Sequence, residues 1–219
     1  MQIIELPSPN HGPRRDDAPV DMLVVHYTDT RDAEEALAIL TDPAAEVSAH
    51  YLVDEDGSIH RLVAEDRRAW HAGIGFWRGH SDVNSRSIGI ELVNPGLRYG
   101  YRPFAERQMD AFAELALDIL ARNPIPPRNV VGHSDIAPDR KLDPGELFDW
   151  RGMAEKGIGL WPPERLGGSM EMLSAYGYSS RPGVIAAFQR HFRPEKVTGI
   201  ADGQTLARLA GLMELVGAD

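Results

Sequence analysis

The sequence predicts an α/β fold in which helices flank a central β-sheet, followed by a smaller region that contains only helices. Short apolar runs alternate with amphipathic helical patterns up to about residue 161, which is typical of a layered α/β domain. Beyond residue 168 only helical periodicity remains. A chain of 219 residues with 42% hydrophobic content is long enough for one large domain and one small domain.

The first predicted elements are an extended arm, a buried strand and a helix. Residues 1–20 contain four prolines, which exclude a helix interior and the centre of a sheet. A strand is predicted over Met22–His26, where an apolar run ends in a polar side chain. We expect Asp29 or Thr30 to cap a helix over 31–40.

A hairpin and a second buried strand come next. The segment 48–63 predicts two strands joined at Asp56 and Gly57, because this dipeptide accepts the backbone angles of a tight turn. Another apolar run, residues 87–94, predicts a strand that contains Glu91.

A long helix and a last short strand complete the larger domain. An amphipathic pattern starts at Pro103 and ends at Asn123. The short apolar run that follows it ends at His133 and repeats the arrangement seen at His26.

Composition divides the chain into an arm over 1–20, a larger α/β domain over 21–161, a linker over 162–168 and a helical region over 169–219. The linker is rich in Gly and Pro, and the last region predicts three short amphipathic helices. About 50 residues make a marginal domain, so we expect these helices to pack on the larger domain. The candidate site residues described below all precede residue 144, so we expect the active site to survive removal of these helices. The alternative is that truncation destabilises both domains, because apolar helix faces are buried between them.

Composition also narrows the function. A formal charge of −10 and a pI near 5.3 exclude a broad cationic surface, so we expect no nucleic-acid partner. The absence of cysteine means that nitrogen and oxygen must hold any metal. We see no apolar run typical of a signal peptide or a membrane span, so we expect no membrane insertion and a cytoplasmic location, or a periplasmic one if a leader was removed.

Two histidines and one aspartate form a candidate metal site. His26 and His133 each end a strand-like apolar run, where α/β sheets place ligands, and Asp143 follows ten residues after His133. Two imidazoles and a carboxylate suit Zn²⁺. Hydrogen-bonded structural histidines and an ordinary turn aspartate are the alternatives.

Amide hydrolysis at such a site needs a proton carrier and a cation. Glu91 has apolar neighbours, and burial among them would raise its pKa to that of a useful base. The alternative for the same sequence is a carboxylate on the solvent face of an edge strand. Lys141 lies two residues from Asp143 and is either the cation or a surface lysine. The Gly-rich loop with Trp70 and His71 either lines a sugar or peptide groove or packs on the core.

Five motifs resemble one family when taken together and in order. They are VVHYT, VSAHYLVDEDG, AWHAG, NSRSIGIELVN and GHSDIAPDRKLDPG. The chain resembles the zinc-dependent N-acetylmuramoyl-L-alanine amidases of the type 2 amidase family, and within it the AmpD and AmiD group. The resemblance implies a mixed sheet flanked by helices, and it implies that peptidoglycan fragments are the partners.

The resemblance also implies roles for individual residues. His26, His133 and Asp143 would bind zinc, Glu91 would be the general acid and base, and Lys141 would stabilise the oxyanion. Trp70, His71 and Asn94, which belong to the matching motifs, would bind the substrate. The C-terminal helices look like a peptidoglycan-binding domain.

The activity that this family implies is cleavage of the amide between N-acetylmuramic acid, or its 1,6-anhydro form, and L-alanine. We expect a monomer. A non-catalytic muropeptide sensor is the main alternative and predicts loss of a ligand or of the glutamate, whereas every such position is filled. The second alternative is a zinc hydrolase that cleaves a different amide, and only substrate assays distinguish it from a muropeptide amidase.

Overall fold

Two β-sheets organise the computed structural model, which describes residues 2–217. The strands are β1 (Ile3–Glu5), β2 (His11–Pro13), β3 (Met22–Tyr27), β4 (Tyr51–Val53), β5 (Ile59–Arg61), β6 (Arg67–Ala69), β7 (Ser87–Leu92) and β8 (Val130–Gly132). The central sheet has the order β1-β5-β4-β7-β3-β8, and β2 pairs with β6 in a small second sheet.

The central sheet is mixed, as predicted. β4 and β5 are antiparallel, whereas the other neighbours in it are parallel. The antiparallel pair is the hairpin expected from Asp56 and Gly57, and Gly57 has the positive φ of 90° that such a turn requires. Parallel pairing of β3 with β7 and with β8 brings the carboxyl ends of these three strands to one edge.

The predicted N-terminal arm is extended, and it is also paired. β1 lies parallel to β5 at the edge of the central sheet, and β2 lies antiparallel to β6. Both places tolerate the neighbouring prolines, because neither is the centre of a large sheet. The outer limits of the arm and of the C-terminal region, residue 1 and residues 218–219, lie outside the described residues.

Helices cover both faces of the central sheet. They are α1 (Ala33–Thr41), α2 (Val83–Arg86), α3 (Gly96–Tyr99), α4 (Glu106–Arg122), α5 (His133–Ile136), α6 (Trp150–Glu155), α7 (Glu171–Tyr176), α8 (Val184–Phe192) and α9 (Gly203–Val216). None of the helices in the described ranges combines the length and apolarity that a bilayer crossing needs.

The predicted cap of α1 is wrong, because the helix begins later. Asp32 is the N-cap residue, and its side chain accepts a hydrogen bond from the backbone N–H of Glu35. Asp29 instead has a positive φ of 54°, and the Thr30 hydroxyl donates to the carbonyl of Asp32. The turn between β3 and α1 therefore uses the two residues that were expected to cap.

α4 also begins later than predicted, at Glu106 and not at Pro103. Its apolar side packs on one face of the central sheet, where Phe112 and Ile119 meet Leu23 and Val25 of β3. All four of these side chains are fully buried. This face is an ordinary apolar core.

The C-terminal helices α7, α8 and α9 pack on the opposite face and share one apolar cluster with it. Met22 and Val24 of β3 lie in this cluster together with Phe188 of α8 and Leu209 of α9. The expectation that these helices pack on the larger domain is confirmed. The exact boundaries, 21–161, 162–168 and 169–219, remain predictions.

Candidate metal centre and active site

Two neighbouring parallel strands bring the predicted histidines together. His26 lies near the end of β3, and His133 follows β8 directly as the first residue of α5. Both are buried, and their Nδ1 atoms are 2.9 Å apart. The resemblance of the two runs in sequence thus reflects adjacency in the sheet.

Asp143 reaches the same point from the loop after α5. Its backbone carbonyl accepts from the N–H of Ser134, and its Oδ2 lies 3.0 Å from the Nδ1 atoms of His26 and His133. Burial alone would raise the pKa of Asp143, but the charge and hydrogen bonds of His133 and His26 outweigh it and hold this pKa well below its usual range. The carboxyl is therefore ionised.

The donor set fits a zinc ion. One nitrogen from each histidine and one oxygen from Asp143 form a buried group with mutually close ligand atoms. Burial, reinforced by His133, lowers the pKa of His26 to about 4, so its imidazole is neutral near pH 7, as a ligand must be. The remaining ring nitrogens are anchored, with His26 Nε2 2.9 Å from His71 and His133 Nε2 3.1 Å from the carbonyl of Ala72.

Glu91 lies beside this group on the same side of the sheet. It is paired in register with His26, and its strand β7 lies between β4 and β3, so the edge-strand alternative is wrong. Burial, followed by the charge of Asp143, raises the pKa of Glu91 to about 8. Its Oε2 is buried without a hydrogen-bond partner among the described residues. Such a carboxyl is suited to accept and return a proton near neutral pH.

A cavity of about 370 Å³ opens above these side chains. Glu91, Lys141, His133 and Asp143 line it, together with Trp70 and His71. Its other lining residues are Tyr27, Thr28, Asp29, Thr30, Ala36, Ile39, Leu40, Val47, Ser48, Leu97, Arg140 and Leu142. A mixed polar and apolar groove of this kind suits a sugar or peptide.

The three predicted substrate residues have different surroundings. Trp70 borders the cavity, and its backbone N–H donates to the hydroxyl of Ser48. His71 also borders the cavity, but both of its ring nitrogens contact protein partners. Asn94 is buried outside the cavity lining, where its amide donates to the carbonyl of Arg102 and accepts from the N–H of Gly96.

Sequence reasoning missed several residues that support the site. Ser87 and Gly89 of β7 contact His71, and Asn84 accepts from the backbone N–H groups of His71 and Ala72. A glycine between two isoleucines in a buried strand was the available signal, because it often marks the close approach of another group. No sequence pattern indicated the partners of Ser87 and Asn84.

Comparison with known proteins agrees with this geometry. The family profile described as N-acetylmuramoyl-L-alanine amidase matches residues 16–146. The amidase AmiD of Escherichia coli is 42% identical over 237 aligned residues, which cover 91% of this chain and 84% of that protein. A solved complex of E. coli AmiD with anhydro-N-acetylmuramic acid-L-Ala-D-gamma-Glu-L-Lys has a TM-score of 0.83, 41% identity and coverage of 94% and 93% of the two chains.

Two further relatives differ in how much of the chain they match. AmpDh3 of Pseudomonas aeruginosa, solved with anhydromuramic pentapeptide, has a TM-score of 0.82 and 35% identity and covers 96% of each chain. E. coli AmpD, a 1,6-anhydro-N-acetylmuramyl-L-alanine amidase, is 38% identical over 66% of this chain and 86% of its own. The chain belongs to the N-acetylmuramoyl-L-alanine amidase family of enzymes.

Proposed function

We propose that this amidase is zinc-dependent and cleaves the bond between N-acetylmuramic acid, or its 1,6-anhydro form, and L-alanine in muropeptides. One observation carries the proposal, namely the convergence of His26, His133 and Asp143 beside Glu91, whose carboxyl oxygen Oε2 is buried. The muropeptides bound in the structures of AmiD and AmpDh3 support this choice of substrate.

The ligand set and Glu91 divide the chemistry between them. His26, His133 and Asp143 would hold a zinc ion, which supplies Lewis acidity that lowers the pKa of water and polarises a carbonyl. Glu91 accepts the proton of the attacking water and returns it to the nitrogen of the leaving amine. The raised pKa of Glu91, about 8, suits both directions of this transfer.

Lys141 and the groove act on the substrate directly. The Lys141 side chain lines the same cavity as Glu91, and its ammonium stabilises the negative charge that develops on the scissile carbonyl oxygen. Trp70 provides an aromatic wall for the sugar or peptide. Asn94, which lies outside the lining, acts only through the loop that it holds.

The wider assignments belong to the same proposal. The C-terminal helices bind peptidoglycan, which agrees with AmiD and AmpDh3 matching nearly the whole chain whereas AmpD matches about two thirds. We also propose a monomer that works in the cytoplasm on wall fragments.

Metal analysis and product mass spectrometry test the proposal together. We expect about one zinc per chain and release of the intact peptide from a muropeptide. His26→Ala and Asp143→Ala should lose metal and activity, because each removes a ligand. Glu91→Gln and Lys141→Ala should keep zinc and lower kcat by roughly 10²-fold or more.

Lys156→Ala is the matched control for Lys141→Ala. Lys156 lies outside the cavity lining and pairs with Asp110, so its loss should leave kcat unchanged. Full activity in chelator would contradict the zinc assignment. Tight muropeptide binding without cleavage by the zinc-loaded protein would instead support the sensor alternative.

A further inference from the structure

We propose that His71 is a positioning residue that fixes the tautomer of the metal ligand His26, and that Ser87 fixes the tautomer of His71 in turn. The inference rests on the zinc site proposed above and assigns a new role within it. His71 joins the two, since its Nδ1 lies 2.9 Å from His26 Nε2 and its Nε2 lies 3.0 Å from Ser87 Oγ.

The direction of this hydrogen-bond chain follows from its last member. The hydroxyl of Ser87 lies 2.7 Å from the carbonyl oxygen of Val83, which only accepts, so Ser87 must donate to it. The Ser87 oxygen then accepts from the Nε2–H of His71. A neutral imidazole with its proton on Nε2 has a free lone pair on Nδ1.

That lone pair on His71 Nδ1 determines the tautomer of His26. His71 Nδ1 accepts a hydrogen bond only if His26 carries its proton on Nε2. The Nδ1 of His26 is then unprotonated and faces the Nδ1 of His133 and the Oδ2 of Asp143. The carbonyl of Val83 thus selects, through two side chains, which nitrogen of His26 is available to a metal.

Packing holds the His71 ring in place for this role. A Cβ at Gly89 would lie 2.4 Å from the ring carbon Cγ of His71, so only glycine at this strand position leaves space for the ring. The backbone N–H groups of His71 and Ala72 both donate to Asn84 Oδ1, which fixes the loop that carries the ring. The ring is therefore anchored by β7 and by α2.

The two ligand histidines are oriented differently, and this makes the role testable. His133 bonds directly to a backbone carbonyl, that of Ala72, whereas His26 depends on side chains. Loss of such a partner typically weakens metal binding by 10- to 100-fold. Substitution of His71 should therefore weaken zinc binding although no ligand atom is removed.

Competition with a chromophoric chelator measures the zinc affinity of the full-length variants. We expect His71→Phe to raise the Kd for zinc by about 10- to 100-fold. His71→Asn places an amide oxygen near the position of Nδ1 and should recover part of that loss. Ser87→Ala should have a smaller effect, because it only releases the tautomer of His71. His80→Phe, an exposed histidine outside the cavity lining, is the control.

A second measurement reads the tautomers themselves. In ¹⁵N NMR of the zinc-loaded wild type, we expect the ring protons of His26 and His71 on Nε2. Wild-type zinc affinity in His71→Phe, or a proton on Nδ1 of His71, would overturn the inference while leaving the amidase proposal intact. Absence of zinc from the wild type would overturn the proposed function itself. Melts in chelator should show that each variant is folded.

Discussion

The two faces of the central sheet are built from alternate residues of the same strand, and they have different tasks. On one face, Leu23 and Val25 of β3 pack against α4 in a purely structural core. On the other, Met22 and Val24 pack under the C-terminal helices, and the next residue on that side is His26. The second face therefore carries both an apolar contact and the candidate metal site.

The comparison shows that the C-terminal helices are part of the core that supports the site. They cover the strand positions directly before His26 and leave the carboxyl end of the strand open to the cavity. The contact is also polar, because Tyr178 and His191 both bond to Asp135, two residues after His133. A simple tether between independent domains does not have these features.

Removal of the C-terminal helices should have the largest effect on stability, because it uncovers the site-bearing face of the sheet. A chain ending at Gly167 would expose Met22, Val24 and Trp77, which are each about 1% exposed or less in the whole protein. Because total stabilities are about 5–15 kcal/mol, we expect this chain to lose cooperative folding. This is the outcome in which packing of the helices on the larger domain decides the effect of the truncation. Circular dichroism melts measure this, with Ile200→Ala, an exposed site in the same region, as the control. A folded, active truncated chain would show that the shared core is dispensable.

A matched pair of aromatic truncations compares the two faces directly. Phe112 in α4 and Phe188 in α8 are both fully buried, one on each face. We expect Phe112→Ala and Phe188→Ala each to lower the free energy of unfolding by about 3–5 kcal/mol. Denaturant titrations should show one transition in both variants. Two separate transitions in Phe188→Ala would indicate that the C-terminal helices unfold alone.

The sequence predicted the strands and helices of the sheet layer better than their arrangement. Apolar runs and helical periodicity were enough to predict β3, β7, β8 and α4, and the histidines at the strand ends were enough to predict a shared edge. Strand order was not readable, because pairing depends on contacts between distant parts of the chain. For the same reason the arm, residues 1–20, was not expected to join the sheets.

Within the site, the sequence predicted the side chains that meet and missed those that orient them. His26, His133 and Asp143 converge as expected, and Glu91 lies beside them. The bond from His26 to His71 joins residues 45 positions apart and has no local pattern. Histidine, aspartate and glutamate are recognisable in a sequence as candidates for chemistry. A serine or glycine that supports them cannot be told apart from the many other serines and glycines of the chain.

Glu91 provides a pH test of the site-bearing face. Burial raises its pKa from an ordinary 4.5 to about 8, so unfolding releases a proton between these values and the stability of the folded protein falls as pH rises. In chelator-treated protein we expect Glu91→Gln to match the wild type near pH 4.5. The difference between these two pKa values sets an upper limit of about 5 kcal/mol on the gain in stability. Because Glu91 is partly exposed where it lines the cavity, we expect the variant to be more stable than the wild type by roughly 2–3 kcal/mol above pH 8. Denaturant titrations from pH 4.5 to 9 measure the difference, and a difference that is constant with pH would contradict the raised pKa of Glu91.

The polar contact between the C-terminal region and the site gives the smallest expected effect. The Tyr178 hydroxyl donates to Asp135 Oδ1 at 2.7 Å, while the other carboxylate oxygen accepts from the backbone N–H of Gly132 and contacts His191. Tyr178→Phe keeps the ring and removes one hydrogen bond to a buried carboxylate, so we expect a loss of about 1.5–2 kcal/mol. Tyr176→Phe is the matched control, because this nearby buried ring contacts Tyr178 without bonding to Asp135. Because Asp135 holds the turn that begins at His133, zinc affinity should fall a few-fold in Tyr178→Phe and stay unchanged in the control. Equal losses of stability in the two variants would mean that the ring packing, and not the bond to Asp135, joins the C-terminal helices to the site.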